Sequence, residues 1–153
     1  MSSEGGAPQG WGGGWRLLLS HHRSDQLHRC VKVGPARLCA RCLGLYPVLF
    51  AGLVGQGVGL SLGLALVPGR PWERWLLLAA CLPAVWDWGE GLHDPLKGGN
   101  GRRLWTGALL GLGLGRALFL HAQAPWTEPS LSALGLVGGA TALAWARAYA
   151  RGL

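Results

Sequence analysis

Thiols and imidazoles crowd into one stretch of the chain. Cys39-Ala-Arg-Cys42 is a C-x-x-C pair, and His21, His22, His28 and Cys30 lie just ahead of it. Two thiolates at that spacing can grip one soft cation, and a tetrahedral Zn²⁺ site needs four ligands of this kind. The candidate ligands are therefore Cys39, Cys42, His21, His22, His28 and Cys30. Zn²⁺ is the expected cofactor, because zinc accepts mixed Cys/His sets. A redox dithiol and an iron–sulfur cluster are alternative readings of the same residues. The plainest reading is cysteines that only pack and histidines that are only solvated. Cys81, among Leu77–Leu82, reads as a small packing residue.

Carboxylates and guanidinium groups form the next set. Asp87 closes a run of apolar residues, and a carboxylate in hydrocarbon must face a cavity or a cation. Arg103 is its expected partner. Asp87 and His93 are the candidate acid or base residues, although neither stands at a diagnostic spacing. Arg102 and Arg103 are placed to hold lipid phosphate, since guanidinium matches phosphate geometry. Arg116 stands deep inside an apolar run, and no acidic residue is evident at its depth.

The elements that carry these residues read as membrane spans. Of 153 residues, 50% are hydrophobic and only 14% are charged, where a soluble domain has about 25%. Leu43 to Pro68 is uncharged for 26 residues, long enough as a helix to cross a bilayer core with tilt. Further apolar runs cover Trp75 to Glu90, Leu104 to Ala122 and Leu131 to Ala146. A soluble four-helix bundle would show polar faces every 3.6 residues, and Leu43 to Pro68 has none. Tryptophans 72, 75, 86, 88, 105 and 145 cluster at the predicted span ends, where an indole suits the headgroup level.

The basic residues assign an orientation. Arg16, Arg23, Arg29, Lys32, Arg37, Arg41, Lys97, Arg102, Arg103, Arg147 and Arg151 fall on one side, against Arg70 and Arg74 on the other. By the positive-inside rule, both termini are cytoplasmic. That use of the formal charge of +7 argues against a nucleic-acid partner. The expected fold is thus all-α, a polytopic membrane protein of four transmembrane helices with a Cys/His-rich N-terminal cytoplasmic segment. Its parts are a flexible Gly-rich tail (1–19), an irregular interfacial segment (20–42), a transmembrane domain (43–148) and a C-terminal tail (149–153). The stripes Gly55/Gly59/Gly63 and Gly107/Gly111/Gly115 would let helices approach closely, within the bundle or across an oligomer.

Taken in order, these residues resemble a family of unknown function made up of small bacterial and archaeal integral membrane proteins. Its pattern is a Cys-His pair, then C-x-R-C-x-G-x-Y, an Asp ending a later span, and N-x-x-R-x-x-T-G. Cys39-Ala-Arg-Cys42-Leu-Gly44-Leu-Tyr46, Asp87 and Asn100-Gly-Arg-Arg103-Leu-Trp-Thr106-Gly107 match the last three elements. His21-His22 stands where the Cys-His pair is expected. The resemblance implies a multi-span membrane protein and no established activity, and the expected location is the inner membrane. The leading functional expectation is a membrane protein with a metal site at its cytoplasmic face. A membrane enzyme acting on a lipid or isoprenoid phosphate head group and a small transporter are the alternatives. The bilayer and its anionic head groups are the expected partners.

Overall fold

Two short runs of strand-forming residues flank Gly34-Pro35, and they fold onto each other. A computed structural model describes residues 28–34, 36–64, 72–93 and 98–150. In it, β1 (Cys30–Val33) pairs antiparallel with β2 (Ala36–Cys39). Cys30 stands opposite Cys39, and Val33 opposite Ala36. Gly34 takes a φ of +57°, which glycine adopts cheaply and which suits the first position of a two-residue hairpin loop. Within the segment expected to be irregular over 20–42, residues 30–39 form this hairpin, while 20–27 lie outside the described residues. Four-residue strands are too short for alternation to register against helical periodicity. The Gly-rich tail expected over 1–19 lies outside the described residues.

The chain divides after Cys39 into two compact units, of which the second is all-helical. Its helices are α1 (Ala40–Ser61), α2 (Glu73–His93), α3 (Asn100–Gln123) and α4 (Glu128–Ala150). Arg41 and Cys42 therefore belong to the first turn of α1. α1 stops at Ser61, short of the expected Pro68. Gly63, at φ +69°, receives the chain there. Leu64 N–H donates to the Gly59 carbonyl at 3.0 Å and Gly63 N–H to that of Leu60 at 3.1 Å. This is a Schellman cap.

α3 is the central helix and packs against each of the other three, while α2 also packs on α4. The core is built of Leu77, Cys81 and Ala84 from α2, Leu110, Ala117 and Leu120 from α3, and Ala133 from α4. The glycine stripe of α3 lies against α1. A Cβ at Gly107 would run into the Arg41 carbonyl, and one at Gly111 would strike that of Leu45. Gly44 of α1 answers from the other side, with the Leu104 carbonyl against its Cα. On α1 the stripe is only partly covered: Gly59 is buried, but Gly55 faces open space and Gly63 lies beyond the helix.

Polarity is distributed inside out. Glu73, Asp87, Arg103, Thr106 and Ser130 are buried, while Phe50, Val54, Trp75, Trp86 and Trp105 are exposed. Water would penalise that arrangement, and hydrocarbon favours it. α1 and α3 are long and apolar enough to cross a membrane, and only 17% of the apolar window of α1 is buried. A soluble core helix would be mostly covered.

Candidate functional site

Three helix ends meet at Asp87. Its side chain, near the C-terminus of α2, is 3% exposed. Arg41, the second residue of α1, brings Nη2 to Oδ2. Arg102, in the first turn of α3, donates from Nε to Oδ1 at 2.9 Å, with Nη2 at 2.8 Å from the same oxygen. Asp87 and Glu90 are one helical turn apart on one face, so Arg102 bridges both, with Nη2 2.6 Å from Glu90 Oε2. The Thr106 hydroxyl donates to the Arg103 carbonyl at 3.3 Å and lies 3.5 Å from Asp87 Oδ2. The Arg41 guanidinium also sits 5.4 Å from the Trp88 ring centroid, within cation–π range.

Close backbone packing makes this node possible. Gly107 rests on the carbonyl of Arg41, so α3 touches α1 at the residue whose side chain reaches Asp87. Arg103, Thr106 and Gly107 are spaced i, i+3, i+4 and share one face of α3. Arg103 is itself buried, at 5% exposure. Arg103 was the expected partner of Asp87; Arg41 and Arg102 are seen paired with its carboxylate. Arg41 was legible only as the fixed Arg of C-x-R-C, with nothing to say what it would meet.

The node's chemistry is that of a held carboxylate and presented guanidinium groups. Both oxygens of Asp87 are engaged by arginine, so proton transfer there would first have to break ion pairs. Two arginines, 41 and 102, stand against Asp87, and Arg102 also meets Glu90. Arg102 is 40% exposed. Arg41 Nε is buried with no hydrogen-bond acceptor among the described residues. An orphaned guanidinium N–H beside a partly open site is a place for an anion.

A second polar cluster ties the opposite ends of the helices. Arg116 donates from Nε to Glu73 Oε1 at 2.5 Å and from Nη1 to Gln56 Oε1 at 3.0 Å. The expectation that Arg116 lacks an acidic partner is thereby corrected. Glu73 was drawn outside the span that opens at Trp75, whereas α2 begins at Glu73 itself. Nearby, Arg74 pairs with Glu128 at the start of α4.

The proposed metal ligands are placed as follows. Cys30 and Cys39 face each other across the hairpin, His28 precedes it, and Cys42 lies in the first turn of α1. His21, His22 and the side chain of His93 lie outside the described residues. Among the described residues, no group of three or more His, Cys, Asp or Glu is gathered to hold a metal. Cys81 is a buried free thiol. Burial pushes the Cys30 thiol above its ordinary range and the neighbouring Cys39 adds to this, while Arg37 opposes it.

The chain matches the family model described as "Predicted membrane protein (DUF2085)" over residues 22–117, and it belongs to that family. The matched region takes in the hairpin, α1, α2 and most of α3, and so the whole Asp87 node. The expected resemblance to a membrane family of unknown function thus holds. No curated protein and no solved structure matches the chain.

Proposed function

We propose that this family member is a four-span protein with cytoplasmic termini whose arginine–Asp87 node holds the phosphate of an anionic lipid, without catalysis. Direction is the argument for four spans. α1 and α3 both begin at the node, so they run parallel. Two parallel spans require the helix between them to cross back. α2 has the length to do so, since 21 residues extend about 32 Å. Its ends agree, with Asp87 at the node and Glu73 beside Arg116. α4 starts at the opposite end, where Glu128 meets Arg74, and its 23 residues return the chain. The excess of basic residues on the node side makes that face cytoplasmic.

The observation that carries the phosphate reading is the unsatisfied Nε–H of Arg41 beside the partly exposed Arg102. Asp87 and Glu90 do not use every guanidinium donor, and arginine forks suit phosphate oxygens. Asp87 in this reading positions arginines and is not a base.

Native mass spectrometry of the detergent-solubilised chain tests the proposal. Phosphatidylglycerol should be retained in preference to phosphatidylcholine, and inorganic phosphate should not displace it. Arg41→Lys keeps a cation for Asp87 but removes the Nε–H, so it should lose that preference while still folding. Equal retention of the two lipids, or an unchanged preference in Arg41→Lys, would overturn the phosphate reading.

A further inference from the structure

The hairpin unit has two faces of different character, and the Asp87 node uses neither. Residues directly opposite each other in an antiparallel pair share a face, and successive residues alternate between faces. Lys32 stands opposite Arg37, so both project from one face, while Val31, Val33 and Leu38 belong to the other. β1 and β2 are joined by a two-residue loop, so Val33 and Ala36 form a hydrogen-bonded pair and Lys32 and Arg37 a non-hydrogen-bonded one. That class brings side chains closest, with Cβ atoms about 4.5–5.5 Å apart, and like charges placed there are destabilising. Lys32 and Arg37 are both exposed, and Val33 on the other face is 47% exposed. Arg29 adds a third positive charge, and the run from Gln26 to Trp72 contains no Asp or Glu. A two-stranded ribbon is marginally stable in water by itself, so this one calls for a surface that takes its apolar face and its charge together.

We infer that the hairpin docks on the anionic head groups of the leaflet at which α1 begins. The chain itself supplies the tether. β2 ends at Cys39 and α1 opens at Ala40, and α1 is long and apolar enough to cross a membrane. A four-residue strand extends only about 13 Å, so the hairpin stays within reach of the head groups at that end of the helix. Val31, Val33 and Leu38 enter the boundary between head groups and acyl chains, as the apolar face of an interfacial amphipathic helix does. Lys32 and Arg37 extend their stems back to the lipid phosphates. A phosphate shared by the two cations turns a repulsive cross-strand pair into an attractive one. A soluble acidic partner would answer the charge and leave Val33 in water, whereas an anionic bilayer answers both faces. The docking uses no residue of the Asp87 node and stands independently of the lipid reading there.

The test is amide hydrogen exchange, read by mass spectrometry, of the full chain in nanodiscs of phosphatidylcholine alone or with phosphatidylglycerol. Peptides covering residues 28–39 should exchange more slowly in the anionic discs. The double variant Lys32→Gln/Arg37→Gln should lose up to about thirtyfold of that difference, at about fivefold for each basic residue near an anionic surface. Exchange in the four helices should not change. Salt at about 0.5 M should erase the difference in the parent, which gives a second readout that needs no substitution. Arg41→Lys, which alters the Asp87 node, should leave the hairpin's exchange as it is. Four results would overturn the inference. They are equal exchange in the two kinds of disc, an undiminished difference in the double variant or at high salt, the same slowing from inorganic phosphate added to neutral discs, and loss of the slowing in Arg41→Lys.

Discussion

Asp87 is 3% exposed and carries its charge among the ends of three helices, which only its guanidinium partners make tolerable. Asp87→Asn keeps the shape and removes the counter-charge of Arg41 and Arg102. It should cost about 3–5 kcal/mol, read as a lower melting temperature in detergent. Arg102→Lys should cost far less, because that side chain is 40% exposed and solvent shares its charge. At the other end, Glu73→Gln and Arg116→Gln should each destabilise, and the double variant should be more stable than the two losses added together. A purely additive pair would mean that the Glu73–Arg116 contact contributes nothing. These side chains were unequally legible. Asp87 announced itself, because a carboxylate ending an apolar run needs a cation. Glu73 did not, because a Glu beside Pro71-Trp72 reads as loop until the helix start is known. Arg41 was visible only as a motif letter.

The helices depend on close approach more than on apolar contact, since lipid is as apolar as leucine. Gly107 and Gly44 are the positions where α1 and α3 touch backbone to backbone. Gly107→Val should push α1 away and withdraw Arg41 from Asp87, at a cost of about 1–3 kcal/mol or more. Gly55→Ala, on the open side of α1, should be neutral or slightly stabilising by helix propensity. Thermal melts of the two variants side by side check this. Glycine spacing alone named two stripes and could not tell them apart, because periodicity says which residues share a face and not which face has a neighbour. Helix ends were legible only within several residues. Gly63 overrode the apolar run that continues to Pro68, since a left-handed glycine with a Schellman cap ends a helix whatever the hydropathy beyond it. The hairpin escaped notice for a related reason. Gly34-Pro35 was a turn signal, but the strands on either side are too brief to show alternation.

At the scale of the whole molecule, two charge clusters hold opposite ends of one bundle, and their positions set the direction of every helix. Composition alone supported membrane insertion, and the count of basic residues supported an orientation. The parallel course of α1 and α3 comes only from seeing Arg41 and Arg102 on the same carboxylate. From that follows a sidedness that a single measurement decides. Single cysteines at Leu64→Cys, between α1 and α2, and at Gln123→Cys, at the end of α3, can be probed in intact cells with a membrane-impermeant maleimide, beside Ser3→Cys in the N-terminal tail. Four spans with the Asp87 node facing the cytoplasm predict labelling at Leu64→Cys and Gln123→Cys, and labelling at Ser3→Cys only after permeabilisation. Labelling of Ser3→Cys in intact cells, or Leu64→Cys and Gln123→Cys on opposite sides of the membrane, would contradict it.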